Sequence, residues 1–267
     1  MKYYSTNLKS EKVTFENALF QGLAPDGGLY MPESIPIFSA DFFNSNWDYP
    51  ELATELISPF VECEIDKKSL LNICDSAFDF PIPLINLDQN LHILELFHGP
   101  TFAFKDFAAR FMARTMQYFM KNENVERTIL VATSGDTGSA VANGFYKMDG
   151  INVVILYPSG RVSKIQEQQL TTLGENIKAI EVEGSFDDCQ KIVKTAFLDS
   201  EIRNQKKISS ANSINISRLL PQSIYYTWAW ICAGRPKDAI ISVPSGNFGN
   251  LTGGLIAKKM GLPITKF

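Results

Sequence analysis

The chain has 267 residues, 45% hydrophobic and 20% charged, with a formal net charge of −4. That length suggests one large domain or two modest ones with a sizeable core. The acidic balance and the lack of a basic stretch argue against nucleic acid as a partner. No uncharged run is long enough to cross a bilayer, and Met1 to Asn7 carry no apolar signal region, so the cytoplasm is expected.

Residues 1 to 80 read as a small, mainly helical N-terminal domain. They hold a turn cluster at Ala24-Pro25-Asp26-Gly27-Gly28 and helical patterns from Tyr49 to Phe60 and from Lys68 to Ala77. Phe80-Pro81-Ile82-Pro83 breaks any helix and marks the boundary. From residue 81 to 267 apolar runs alternate with helical patterns. Leu91–Phe97 reads as a buried strand and Lys105–Lys121 as a helix. Strands are then expected over Thr128–Thr133, Asn152–Tyr157, Ile177–Val182 and Ala239–Val243. Helices are expected over Thr137–Met148, Ser163–Leu173, Phe186–Ser200 with Ser185 as N-cap, Asn215–Ala233 with a break or bend at Pro221, and Leu251–Met260. Such alternation predicts an α/β domain of mostly parallel strands flanked by helices, with ligands at the carboxyl ends of the strands.

The cysteines, Cys63, Cys74, Cys189 and Cys232, are scattered, and only His92 and His98 could join them. No zinc pattern results, no metal is expected, and buried free thiols in a reducing compartment are the simpler reading.

Three strand-to-helix loops can carry chemistry. His98-Gly99-Pro100-Thr101-Phe102-Ala103-Phe104-Lys105-Asp106 places a lysine among apolar residues. A desolvated amine can form a Schiff base, although Lys105 could equally be a first-turn lysine paired with Asp106 or facing water. Thr133-Ser134-Gly135-Asp136-Thr137-Gly138-Ser139 can offer free amides to an anion, or can be an ordinary helix start capped by Ser134 or Asp136. Val243-Pro244-Ser245-Gly246-Asn247-Phe248-Gly249-Asn250 can form a nest for a phosphate monoester, or a tight Gly/Asn turn. One reactive lysine beside two anion cradles suits a phosphorylated carbonyl cofactor and an anionic substrate.

These segments carry a family resemblance. Gln21 to Tyr30, Phe97 to Phe107, Ala132 to Ala140, Ser210 to Asn215 and Gly246 to Asn250 occur in the order of the matching motifs of the threonine synthases. The chain thus resembles that family, within the fold type II pyridoxal 5′-phosphate (PLP) enzymes, over nearly all its length. The resemblance implies that Lys105 holds PLP and shuttles protons, and that Gly246, Asn247, Phe248, Gly249 and Asn250 cradle its phosphate. It implies that Ser134, Gly135, Asp136, Thr137 and Gly138 hold the substrate carboxylate or lie beside the cofactor ring. Asn215, Arg218 and Lys164 are candidates for the substrate end, where an Arg or Lys would suit the substrate phosphate, with a solvated helix face as the alternative for Lys164 and Arg218. The implied substrate is O-phospho-L-homoserine. Another fold type II lyase, such as a threonine dehydratase, or a non-catalytic relative are the competing readings. Family members continue past residue 267, so the rest of the sheet and the contact to the pyridine nitrogen are expected in such a further portion.

Overall fold

A computed structural model describes residues 1–121, 125–212 and 214–267 of the chain. Ser213, within one of the family motifs, lies outside the described residues. Near the N-terminus β1 (Tyr3–Ser5) pairs antiparallel with β2 (Tyr30–Pro32), and α1 (Phe15–Gln21) lies between them in sequence. Three helices follow: α2 (Ala40–Asn44), α3 (Tyr49–Val61) and α4 (Lys67–Ala77). Their starts are written locally. Ser39, Asp48 and Asp66 each accept a backbone N–H three residues on, and Asp48 with Glu51 completes a capping box.

Next come β3 (Leu84–Asp88) and β4 (Leu91–Leu94), an antiparallel ribbon with Leu84 opposite Leu94. Leu91 to Phe97 is therefore neither one long strand nor buried: Leu91 is 57% exposed and Ile93 46%. The polar segment Asp88-Gln89-Asn90 closes a turn, and the ribbon stands apart from the parallel sheet.

The remaining elements are α5 (Lys105–Met120), β5 (Arg127–Ala132), α6 (Asp136–Gly144), β6 (Ile151–Pro158), α7 (Lys164–Thr171), β7 (Ile177–Val182), α8 (Phe186–Leu198), α9 (Ser200–Lys206), β8 (Ile208–Ser209), α10 (Ile216–Leu219), α11 (Pro221–Cys232), β9 (Ala239–Ile240), α12 (Gly249–Lys259) and β10 (Ile264–Lys266). Four strands form a parallel sheet in the order β7-β6-β5-β8. Its two central strands, β5 and β6, carry apolar side chains on both faces, as parallel strands under helices do, whereas β7 at the edge exposes Lys178 and Glu181. Ile129, Val131, Val153 and Ile155 enter the main core, whereas Leu130, Ala132, Val154 and Leu156 meet Cys189 and Val193 of α8. The period of two along β5 and β6 sorts these side chains.

Four of these elements differ from expectation. The helix after β5 stops at Gly144, because Phe145 to Met148 turn tightly and Lys147 takes φ +56°. The strand expected to Val243 spans only Ala239–Ile240, with Ile264 opposite Ala239 and Lys266 opposite Ile240. Neither α9 nor β8 was expected, and β8 is only two residues long.

The N-terminal residues share the core of the α/β part. Buried Tyr49 of α3 has ring contacts with Phe78 (5.3 Å), Phe107 of α5 (5.9 Å) and Trp228 of α11 (5.5 Å). Such aromatic contacts add about 0.5–1.5 kcal/mol each beyond buried area. No helix among the described residues is long and apolar enough to cross a membrane. All four cysteines are free; Cys74 and Cys189 are buried, but Cys63 and Cys232 are exposed, contrary to the expectation of buried thiols. Cys63 lies just past the end of α3 and Cys232 at the last turn of α11, where packing gives way to solvent.

Candidate functional site

Lys105 is the first residue of α5, and its loop is folded back by its neighbour Asp106. Both Asp106 oxygens are occupied, Oδ2 by the Thr101 N–H at 2.9 Å and Oδ1 by the Thr101 hydroxyl at 2.5 Å. Asp106 is fully buried, and burial raises its carboxyl above the ordinary carboxylate value, while the bonds from Thr101 oppose that shift. Gly99 passes so close that a Cβ there would lie 2.5 Å from Asp106 Oδ2. The fold-back drives Phe102 to φ +58°, a left-handed conformation rare for a bulky residue, with its ring 74% exposed.

Lys105 does not pair with Asp106. Its Nζ sits 4.6 Å from the Phe104 ring centroid and 3.3 Å from Asp136 Oδ2, and the side chain is only 23% exposed. The first and second loops therefore meet through one ion pair. At such exposure the pair contributes less than about 1 kcal/mol to stability, so its consequence is orientation.

The second loop is organised by Thr133, which sequence reasoning did not single out. Its hydroxyl donates to Gly135 O at 3.0 Å and accepts from the N–H of Gly135 (3.0 Å) and Gly138 (2.8 Å). Neither Ser134 nor Asp136 caps α6: Gly135 is the N-cap, and it makes no side-chain cap bond. Gly135 has φ +145°, and a Cβ there would lie 2.5 Å from Gln166 Nε2. At Gly138 a Cβ would lie 2.5 Å from Thr133 Cγ2. Ser134 and Asp136 are exposed and Thr137 half-buried, so the loop presents its polar groups outward.

Gln166 of α7 is a second residue that sequence reasoning passed over. Its Nε2 donates to Asp136 Oδ1 at 2.6 Å. Its Oε1 accepts from Ser163 N–H at 3.2 Å, and Ser163 Oγ accepts from Gln166 N–H at 3.3 Å. The Ser163-x-x-Gln166 spacing is a capping-box signature and was a readable signal. Lys164 lies between them, exposed on the first turn of α7.

In the third loop Asn250 braces the turn from within. Its Nδ2 donates to Pro244 O at 2.8 Å, and its Oδ1 accepts from Leu251 N–H at 2.9 Å and from the Ser245 hydroxyl. Tyr226 of α11 donates its hydroxyl to Asn250 O at 2.7 Å and so fixes the loop to the core. Phe248, at φ +55°, is the N-cap of α12 and supplies no side-chain cap. Gly246 is exposed, with no atom within 4 Å of the place a Cβ would take, and Asn247 is exposed too. An uncapped helix start behind an open glycine surface is a ready receptor for a phosphate.

Asn215 and Arg218 are buried, Asn215 at the N-cap of α10 and Arg218 within it. Asn215 is fully buried: its Nδ2 donates to Leu19 O at 2.7 Å, and its Oδ1 accepts from Ser217 N–H at 3.0 Å. It ties α1 to α10. Arg218 is 2% exposed, donates to Ala211 O, and keeps a buried Nε without a hydrogen-bond partner. Burial lowers its pKa to about 10, and the charge of Asp106 opposes that shift. Neither residue lies on a solvated helix face. A cavity of about 840 Å³ opens elsewhere, between α4, α5 and the start of β5, lined by Ser76, Arg114 and Asp149 among others; it includes no residue of the three loops.

Residues 2–78 match the family profile described as threonine synthase N terminus, and residues 80–267 match that of pyridoxal-phosphate dependent enzymes. The chain is 48% identical over 272 residues to a threonine synthase of Buchnera aphidicola from Acyrthosiphon pisum, and 45% identical over 273 residues to that of Escherichia coli K12. Each alignment covers 100% of this chain and 63% of the relative, so the chain spans less than two thirds of the relatives' length. Among solved structures, the PLP-bound threonine synthase of Brucella melitensis superposes with a TM-score of 0.92 at 41% identity, covering 99% of this chain and 59% of that one.

Proposed function

The chain belongs to the pyridoxal-phosphate-dependent enzyme family, and from that membership we propose that it works as a threonine synthase, converting O-phospho-L-homoserine and water into L-threonine and phosphate. The observation that carries the proposal is the placement of Lys105 against Asp136, across two loops whose motifs match the family. The third loop fits the cofactor phosphate. Its helix start lacks a side-chain cap, its Gly246 face is open, and the brace from Asn250 and Tyr226 holds that surface in shape.

In this reading Lys105 is the covalent anchor, and Gly246, Asn247, Phe248, Gly249 and Asn250 form the phosphate cradle. The cofactor, when bound, supplies an electron sink that makes the substrate Cα–H acidic. Lys105 Nζ, on a flexible stem, moves protons at the substrate Cα and Cβ. Phosphate leaves from Cγ and the oxygen of water adds at Cβ. The amides of Ser134, Asp136 and Thr137 at the start of α6 receive the substrate carboxylate, while Gly135 and Gly138, whose N–H groups donate to Thr133, shape the loop around it. Lys164 on the same rim supplies a cation for the substrate phosphate. Asn215 and Arg218 support this arrangement from inside, one by joining α1 to α10, the other by placing a buried cation near Asp106. The division near residue 80 separates a part that shares the core from the part that carries these loops.

Borohydride reduction in the presence of PLP, followed by peptide mass mapping, tests the assignment. The expected result is a pyridoxyl label on Lys105, lost in Lys105→Ala. Phosphate release from O-phospho-L-homoserine, measured against oxobutyrate release from threonine, tests the reaction. A label at another lysine, or oxobutyrate as the main product, overturns the proposal.

A further inference from the structure

We infer that Gln166 is a positioning residue for Lys105, acting through Asp136. The inference rests on the reading of Lys105 as the cofactor lysine and adds a residue that the reading does not include. The Ser163 backbone N–H can only donate, so the Gln166 oxygen must face it, 3.2 Å away. That fixes the amide orientation and leaves Nε2 for Asp136 Oδ1 at 2.6 Å. With Oδ1 held, Oδ2 is the oxygen left to Lys105 Nζ at 3.3 Å. The start of α7 and the lysine of α5 are thereby connected through a single carboxylate.

The approach of Gln166 depends on a glycine. A Cβ at Gly135 would lie 2.5 Å from Gln166 Nε2, 2.7 Å from Cδ and 2.7 Å from Oε1, so any larger residue would displace the whole amide. Gly135 thus admits the side chain that orients its own neighbour, Asp136. The Ser163 hydroxyl also donates to Gln166 Oε1, at 3.1 Å, so Ser163 both caps α7 and holds the amide oxygen, while the backbone N–H alone suffices to orient it.

The test uses the full chain and its variants Q166L, D136N, Q166L/D136N and S163A. The readout is the rate at which Lys105 takes up an amine-acylating reagent without added PLP, followed by peptide mass mapping. Q166L and D136N are each expected to change that rate in the same direction by about two- to fivefold, the span an exposed ion pair supports. The double variant is expected to match D136N, because Gln166 acts through Asp136. S163A, which loses the hydroxyl bond to Oε1 and the cap but keeps the backbone donor that orients the amide, is expected to change the rate by less than Q166L does. A Q166L effect that persists undiminished in D136N, an S163A effect of equal size, or no Q166L effect overturns the inference. Should Q166L fail to fold, Q166E retains an acceptor for Ser163 but no donor for Asp136, and it too must change the Lys105 rate. The outcomes separate from those of the proposed function: absence of a borohydride-fixed label on wild-type Lys105 removes that reading, whereas the acylation cycle judges the Gln166 link alone.

Discussion

Lys105 Nζ and Asp136 Oδ2 stand 3.3 Å apart, although 31 residues separate them in sequence. The contact joins the start of α5 to the start of α6, so the lysine is held at the place where two helices begin. Asp136→Ala removes the partner without creating a buried defect, because Asp136 is exposed. Chemical denaturation is expected to move by less than about 1 kcal/mol. The rate of PLP fixation on Lys105 is expected to change clearly, measured by borohydride trapping over time. A large loss of stability would show that the pair holds the fold together instead.

Thr133 supports the same loop from below. Thr133→Val keeps the shape but leaves the buried N–H groups of Gly135 and Gly138 without their acceptor. Each such group costs about 1–3 kcal/mol, so urea unfolding is expected to report a loss of roughly 2–6 kcal/mol. Thr133→Ser keeps the oxygen and is expected to lose less than half of that. Equal losses in the two variants would show that the methyl group matters as much as the hydroxyl and would sink the hydrogen-bond account.

The Asp26 turn offers a pH signature outside the site. Hydrogen bonding from Ser5 chiefly lowers its pKa, to about 2; desolvation is the next largest influence and opposes the shift, and the amides of Gly28 and Lys9 add to the lowering. The folded value lies below the ordinary 3.8, so the contribution is fully present above that pH and is lost as pH falls toward 2. Stability measured by urea titration between pH 4 and pH 2 is expected to fall more gently in Asp26→Asn than in wild type. Parallel curves would sink this assignment.

Much of this architecture could be read from local chemistry. Asp48, Ser163 and Ser185 sit where capping boxes form, and α3, α7 and α8 begin where they say. The apolar runs of β5, β6 and β7 gave the parallel strands, and three strand-to-helix loops pointed to Lys105. Long-range effects were less visible. The run from Leu91 reads as buried because it is apolar, yet its only strand partner among the described residues is β3. The stretch Asn215-Ile216-Ser217-Arg218 reads as a half-polar helix face, but every one of its side chains is buried. Sequence pattern cannot tell a polar residue facing water from one whose partners, such as Leu19 O and Ala211 O, arrive from other parts of the chain. Thr133 was hidden for a related reason: its partners are backbone amides, which carry no sequence signal.

The third loop depends on the packing of α12 against α11. A Cβ at Gly253 would lie 2.7 Å from the backbone carbon and from Cβ of Gln222, and 2.9 Å from its carbonyl oxygen. These are mostly backbone atoms, so the helices themselves must separate to admit Gly253→Ala. Overpacking of this kind costs about 1–3 kcal/mol, partly offset by up to 1 kcal/mol from the better helix propensity of alanine. The displacement also pulls on the Tyr226 hydroxyl bond to Asn250 O at 2.7 Å, which fixes the loop from Gly246 to Asn250. Gly253→Ala is therefore expected to weaken PLP binding, measured by fluorescence titration, even where the protein remains folded at the assay temperature. Lys105 acylation should stay near the wild-type rate, because the Lys105–Asp136–Gln166 bonds do not involve α12. Loss of PLP binding with unchanged lysine reactivity would place the phosphate cradle on α12; unchanged PLP affinity at reduced stability would move it elsewhere.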